Sequence, residues 1–401
     1  MFASPMEGPL PAARVRRGPR RPRLALALVF GLGLVSFSHA QESGRPDQVL
    51  RIKPSTGKVS VVSGRVLSNT LTAVEIEHGD KTEKVESDQV TEITWGTFPP
   101  SFQDGATYAA RGDWENSVAK YRVAATDASA RLVVQAAARL EAAEALLRWG
   151  ASDPNQFVEC IAECDVFLST YPDNRDLPRA RWLKARASLL AGDAAGAAAQ
   201  FRALYEEAAK EPPTTGYDRE ICLNAGLDAA WAYLLAGETG PAREIFVGVV
   251  GPFATMIERL DGGSGTERAR LEGAKGVAAV GEGFCQLAGG QAAKAIATFQ
   301  TFLGEEGLPG AARGAATLGM AEAHLAQGEL REAQLWFARV SAVEYADRDR
   351  LARALVGLAD TTLKLNDGDA SSLARRYLEQ VMDSYGDTPS ARAAAEMQKS
   401  L

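Results

Sequence analysis

Arg181-Trp182-Leu183-Lys184-Ala185, followed by Ser188, Gly192-Asp193, Ala197, Phe201 and Leu204 within Asp176–Ala209, is the stretch on which the fold turns. Small residues stand where two helices must approach. Gly-Asp makes a turn between them, and an aromatic closes the second helix. The spacing recurs. Gly112-Asp113 is followed by Ser117, Tyr121 and Ala124; Gly237-Glu238 by Ala242, Phe246 and Val249; Gly290-Gln291 by Ala295, Phe299 and Phe302; Gly328-Glu329 by Ala333, Phe337 and Val340. A small residue lies seven positions before each turn: Gly105, Ala185, Ala230, Gly283 and Ala321. A single copy is an ordinary Gly turn; five in register are a repeat.

This pattern resembles the tetratricopeptide repeat, a helix–turn–helix unit of about 34 residues with small and aromatic residues at fixed places. Two further units fit with longer turns: Ala143 and Leu146 with Cys160, Cys164, Phe167 and Pro172, and Ala359 and Thr362 with Ala374, Leu378 and Val381. The resemblance implies a mainly α solenoid of about seven helix pairs over residues 102–388, whose neighbours share one core. Asp176 before Leu177-Pro178 is the expected N-cap of an opening helix. Residues 389–401, after Thr388-Pro389, are expected to form a capping helix.

Residues 47–96 follow another rule. Val49–Lys53, Val59–Leu67, Ala73–His78, Thr82–Val85 and Val90–Trp95 alternate apolar and polar residues between turn breakers, which predicts five short antiparallel strands. Their number and length resemble a small Sm-like or SH3-like barrel. Residues 97–101, with Pro99-Pro100, are expected to be the linker to the repeats. Within the array, Glu211–Gly216 and Asp261–Thr266 are expected to be connecting loops.

The chain opens with six Arg between Arg14 and Arg23, an apolar run Leu24–Phe37 and Ser38-His39-Ala40. That order predicts a signal peptide over residues 1–40, the alternative being an uncleaved anchor. No Cys follows the run to take a lipid. The full chain has net charge −7; loss of residues 1–40 removes six Arg and one Glu and leaves net −12. A surface of that sign does not invite nucleic acid.

Catalytic signals are poor. After cleavage two His remain, His78 and His324, expected at a solvated turn and in the core. Ser264 has no preceding strand, and Thr56-Gly57-Lys58 lacks the rest of a phosphate loop. Gly281 and Gly283 lie in a helical repeat and suit close packing. Cys160, Cys164, Cys222 and Cys285 are expected as buried free thiols, and no further Cys or His stands near to complete a metal site. Neither a cofactor nor a metal is expected.

In the tetratricopeptide family the first helix of each pair lines a concave groove. The resemblance places Arg179, Trp182, Arg186 and Trp231 in that groove, a combination suited to an extended peptide with an acidic group. Tyr171-Pro172-Asp173 and Tyr385–Ala391 resemble repeat ends in bacterial envelope proteins of this family, among them outer-membrane assembly and Tol–Pal-associated factors. The function expected is a non-enzymatic, exported scaffold that binds a protein or peptide partner, with no membrane span after cleavage. A structural spacer within an envelope complex is the alternative, and an enzyme with an unrecognised site is a third. Intact-mass measurement of the exported protein should give a chain beginning at Gln41; a chain retaining Leu24–Phe37 would refute the cleavage.

Overall fold

Each repeated Gly turn ends one helix and starts the next. A computed structural model describes residues 45–52, 59–209, 217, 219–260, 265–343 and 347–401. The expected signal peptide, the Glu211–Gly216 loop, Thr56-Gly57-Lys58 and Ser264 lie outside these. Helices come in pairs: α1 (Pro100–Ala110) with α2 (Trp114–Thr126), α3 (Leu132–Trp149) with α4 (Asn155–Thr170), and α5 (Leu177–Leu190) with α6 (Ala194–Tyr205). Then come α7 (Arg219–Leu235) with α8 (Thr239–Glu258), α9 (Gly265–Ala288) with α10 (Ala292–Leu303), and α11 (Gly310–Ala326) with α12 (Leu330–Val343). Last are α13 (Arg348–Leu365) with α14 (Ala370–Ser384), and the single helix α15 (Pro389–Gln398). The architecture is an α-solenoid of seven helix pairs and a cap among the described residues, as the resemblance implies.

The turns explain the Gly-Asp signature. Gly112, Gly192, Gly237, Gly290 and Gly328 all have φ between 73° and 99°, the left-handed region that a side chain disfavours. The next N–H reaches back five residues, from Asp113 to Tyr108, Asp193 to Ser188, Glu238 to Tyr233, Gln291 to Gln286 and Glu329 to His324. That bond satisfies an orphan carbonyl at the helix end. Asp113 and Asp193 then cap the following helix by accepting from the N–H of Asn116 and Gly196. One dipeptide thus stops one helix and starts another.

Small residues meet aromatics behind these turns. A side chain at Gly105 would collide with the ring of Tyr121, and one at Gly283 with Phe299. Ala185 and Ala230 are fully buried with Phe201 and Phe246, and Ala321 with Phe337. The four Cys are free and buried.

Five strands precede the pairs: β1 (Asp47–Ile52), β2 (Val59–Asn69), β3 (Ala73–His78), β4 (Lys81–Glu86) and β5 (Val90–Thr94). They form one antiparallel sheet in the order β4-β3-β2-β1-β5, with a 3-10 turn at Ser87–Gln89. The alternation expected from sequence is real: Val49, Val62, Val66, Val74, Ile76 and Val85 all point inward. Two expectations need correction. Pro100 and Ser101 belong to α1 and not to a linker, because Pro suits the first turn of a helix. Gly265 and Thr266 already belong to α9. The sheet shares its core with the helices through Val133 and Val134 of α3.

Overpacking at a close-approach position costs roughly 1–3 kcal/mol. Ala230→Trp should therefore lower the melting temperature well below that of His78→Ala; equal values would contradict the register.

Candidate functional site

Two regions carry the chain's unusual side chains. The first lies between the sheet and the opening helix pairs. Asp47, on β1, is 2% exposed and accepts from the N–H of Val66 and Gly96, both at 2.8 Å. Arg131, just before α3, reaches the same carboxylate with both Nη atoms, at 2.6 and 2.9 Å. It also donates to the carbonyls of Val66 and Thr97 and lies over the Trp95 ring. Burial, the largest influence on Asp47, acts to raise its pKa, but Arg131 and the two backbone N–H groups outweigh it and hold it below the ordinary carboxylate value.

A second clamp lies at the α4–α5 turn. The N–H of Leu71 donates to Asp173, and that of Arg175 to Asn69. The Arg175 side chain donates to the carbonyls of Val90 and Ser87. Asp176 does stand at the N-cap of α5, but its carboxylate makes no cap bond and instead accepts from Asn69 of β2. The expected repeat end is thus also the mount of the sheet.

Beside the Asp47–Arg131 pair runs an open groove of about 740 Å³. Arg65, Glu77 and His78 line it from the sheet, Phe98 and Pro99 from the approach to α1, and Ser129 and Ala130 from the α2–α3 turn. The turn is braced: Asp127 accepts from both the N–H and the hydroxyl of Ser129, and Gln135 donates to the carbonyls of Asp127 and Ala130. His78 is thus a groove residue rather than a plain turn residue. His324 pairs with Glu329 at 2.5 Å at the end of α11, instead of lying in the core.

The second region holds the four residues singled out by sequence, on α5 and α7. Arg179 is 41% exposed and pairs with Glu141 and Glu144 of α3. Those two acids hold its charged form, although burial opposes it. The indole N–H of Trp182 donates to Asp228 of α7 at 2.8 Å. Trp231 stands edge-on to Phe246 and Phe284, and the Arg353 guanidinium of α13 lies over its ring. Arg186 is 17% exposed and makes two 3.1 Å bonds to Asp349 of α13. It also donates to the Asp387 carbonyl.

The seventh pair therefore meets the third through Arg186. Trp182 and Arg186 share one acidic cluster, with Arg179 further toward α3 and Trp231 toward α9. Sequence reasoning missed the acids. Asp228 carried a signal, a lone carboxylate in the apolar run Leu227–Trp231; Asp349 and Asp387 carried none. Among the described residues no cluster of His, Cys, Asp or Glu could hold a metal ion, and no helix is long and apolar enough to cross a membrane.

No protein-family model matches the chain, and no curated protein matches it. Among solved structures it is similar to a tetratricopeptide repeat protein from Parabacteroides merdae, at 13% identity and a TM-score of 0.49, over 75% of this chain and 96% of that one.

Removing one member of a buried ion pair costs about 3–5 kcal/mol. Asp47→Ala should lose stability of that order in denaturant unfolding at neutral pH. Because the folded pKa is depressed, the Asp47 contribution is complete above the ordinary carboxylate range and fades as pH falls through the folded value. The gap between variant and parent should therefore close on acidification; a gap constant with pH would remove the ion pair from the account.

Proposed function

We propose that the chain is an exported, non-catalytic adaptor of the bacterial cell envelope that binds a protein or peptide partner. Helical-repeat folds serve protein interaction through extended surfaces. The observation that carries this reading is the open groove between the sheet and the opening helix pairs, with its braced walls. It sets an apolar strip, Phe98 and Pro99, beside the polar Arg65, Glu77 and His78. Such a strip suits an extended peptide, and Arg65 suits an acidic group on it. Export rests on the sequence of residues 1–40.

The concave quartet Arg179, Trp182, Arg186 and Trp231 is proposed as a further contact surface. Arg179 and Trp182 are both part-exposed. A second reading, a spacer that makes its contacts through helix ends, is favoured by one observation: Arg186 already spends its guanidinium within the chain.

Cross-linking in the native envelope, followed by identification of what co-purifies, separates the two. Arg65→Glu should weaken capture of the partner about tenfold, roughly 1.4 kcal/mol, with the helical circular dichroism spectrum unchanged. Retention of every cross-linked partner by Arg65→Glu and by Trp182→Ala would leave the spacer reading.

A further inference from the structure

A β-strand has two hydrogen-bonding edges, and each half of β2 pairs along only one of them. From Val59 to Gly64 it pairs with β1, in the register Ile52↔Val59 to Asp47↔Gly64. From Arg65 to Asn69 it pairs with β3, from Arg65↔Glu77 to Asn69↔Val74. The second edge of the later half is filled by side chains: the N–H of Val66 donates to Asp47 and its carbonyl accepts from Arg131. The second edge of the earlier half has no such cover. Among the described residues, Val59–Ser63 has no backbone partner besides β1. Alternate residues of a strand address opposite edges. The Val66 N–H faces the β1 side, and so do those of Gly64, Val62 and Ser60. Val59, Val61 and Ser63 therefore turn their N–H and C=O groups to the open edge.

The strand that would cover this edge stops short of it. β3 ends at His78, packed on Gly64, where a Cβ would strike the Glu77 carbonyl and the His78 ring. Gly79, with φ 56°, then turns the chain into β4. The sheet's other edges are guarded. β4 carries Lys81, Glu83, Lys84 and Glu86, and at the start of β5 the Val90 carbonyl is taken by Arg175. Charge and cover are the usual means of keeping an edge from pairing with another chain. Val59-Ser60-Val61-Val62-Ser63 has neither; it bears no charge, and Val59 and Val61 are 62% and 54% exposed.

We propose that the Val59–Ser63 edge binds an extended segment of the partner by strand addition, the segment running on into the groove beside Arg65. This rests on the groove reading above, because Ser63, Gly64 and Arg65 line that groove. Backbone pairing supplies affinity in this mode, and alternate side chains supply specificity. The segment is therefore defined by its chemistry. Alternate positions are β-branched or otherwise apolar, to lie beside Val59 and Val61 on the exposed face. The next position on that face carries a carboxylate for Arg65, which is exposed and has no ion pair among the described residues.

The test uses the full chain and a capped, fluorophore-labelled peptide, Thr-Val-Thr-Val-Thr-Asp, with binding read by fluorescence anisotropy. In an added strand one alternate set of peptide amides faces β2 and the other faces solvent. N-methylation of one set should weaken binding about tenfold or more, and N-methylation of the other should leave it largely unchanged. Asn in place of the peptide's Asp should weaken binding about threefold. Val61→Pro removes an edge N–H without touching a bond to β1, and edge strands tolerate Pro; it should weaken binding as much as the disruptive N-methyl set. Val61→Lys, which guards the edge with a charge, should do the same. If both N-methylated peptides bind as the parent peptide does, strand addition is overturned while the groove reading stands. No binding at about millimolar peptide would also overturn it. So would a dimer of the chain, seen by sedimentation, that Val61→Lys dissolves, because the edge would then belong to a second copy.

Discussion

Everything in the array depends on how closely a first helix can approach the aromatic of its own second helix. The aromatic is held from two sides. Phe299 of α10 rests against Gly283 in its own pair and against Gly319 in the next. Phe246 of α8 lies against Gly281 of the following pair, and Phe337 of α12 against Gly357. Each ring therefore sets the spacing within a pair and the spacing between pairs at once. Interiors packed at crystal density do not absorb an extra methyl group without a shift. This is why small residues recur at fixed distances from the turn while surface positions vary freely.

That constraint is local, and so it was legible. The five Gly turns, the small residues seven positions before them and the aromatics after them lie within one helix pair, and periodicity records them. The strands were legible for the same reason. Contacts between distant segments left no periodic trace. Arg131 and Asp47 are 84 positions apart, and Arg186 and Asp349 are 163 apart. Nothing in either neighbourhood names the other. Asp176 shows the boundary clearly: its place at a helix start could be read, but its carboxylate goes to Asn69 of the sheet. Arg179, Trp182, Arg186 and Trp231 were named from the family's geometry, which assigns the first helix of each pair to the inner face. The acids they meet could not be named, because those contacts join pairs far apart in sequence.

Two kinds of interaction divide the work. Apolar contacts between neighbouring pairs build the stack. Arg–Asp pairs decide where non-neighbouring parts meet: Arg131 seats the sheet, and Arg186 seats the seventh pair. A buried ion pair is a weak source of net stability, because desolvation offsets most of the attraction. It is a strong source of position, because a displaced arrangement leaves a charge without its counterpart. At Asp47 the geometry is complete, with two backbone N–H groups and a two-pronged Arg on one carboxylate. At the α5–α13 seam Arg186 makes two bonds to Asp349, and Asp228 accepts only from the Trp182 N–H among the described residues.

That difference sets how the two sites answer to pH. Asp47, whose pKa Arg131 and two backbone N–H groups hold below the ordinary carboxylate value against the opposing effect of burial, stays charged near neutrality, so the sheet is fixed to α3 there. Asp228, half-buried and accepting from the Trp182 N–H, has its pKa pushed up to about 6, burial being the largest cause. The apolar stack that carries both sites does not ionise. The helix pairs keep their spacing whatever the charge at either site, because that spacing is set by the rings of Phe201, Phe246, Phe299 and Phe337 and by no charge at all.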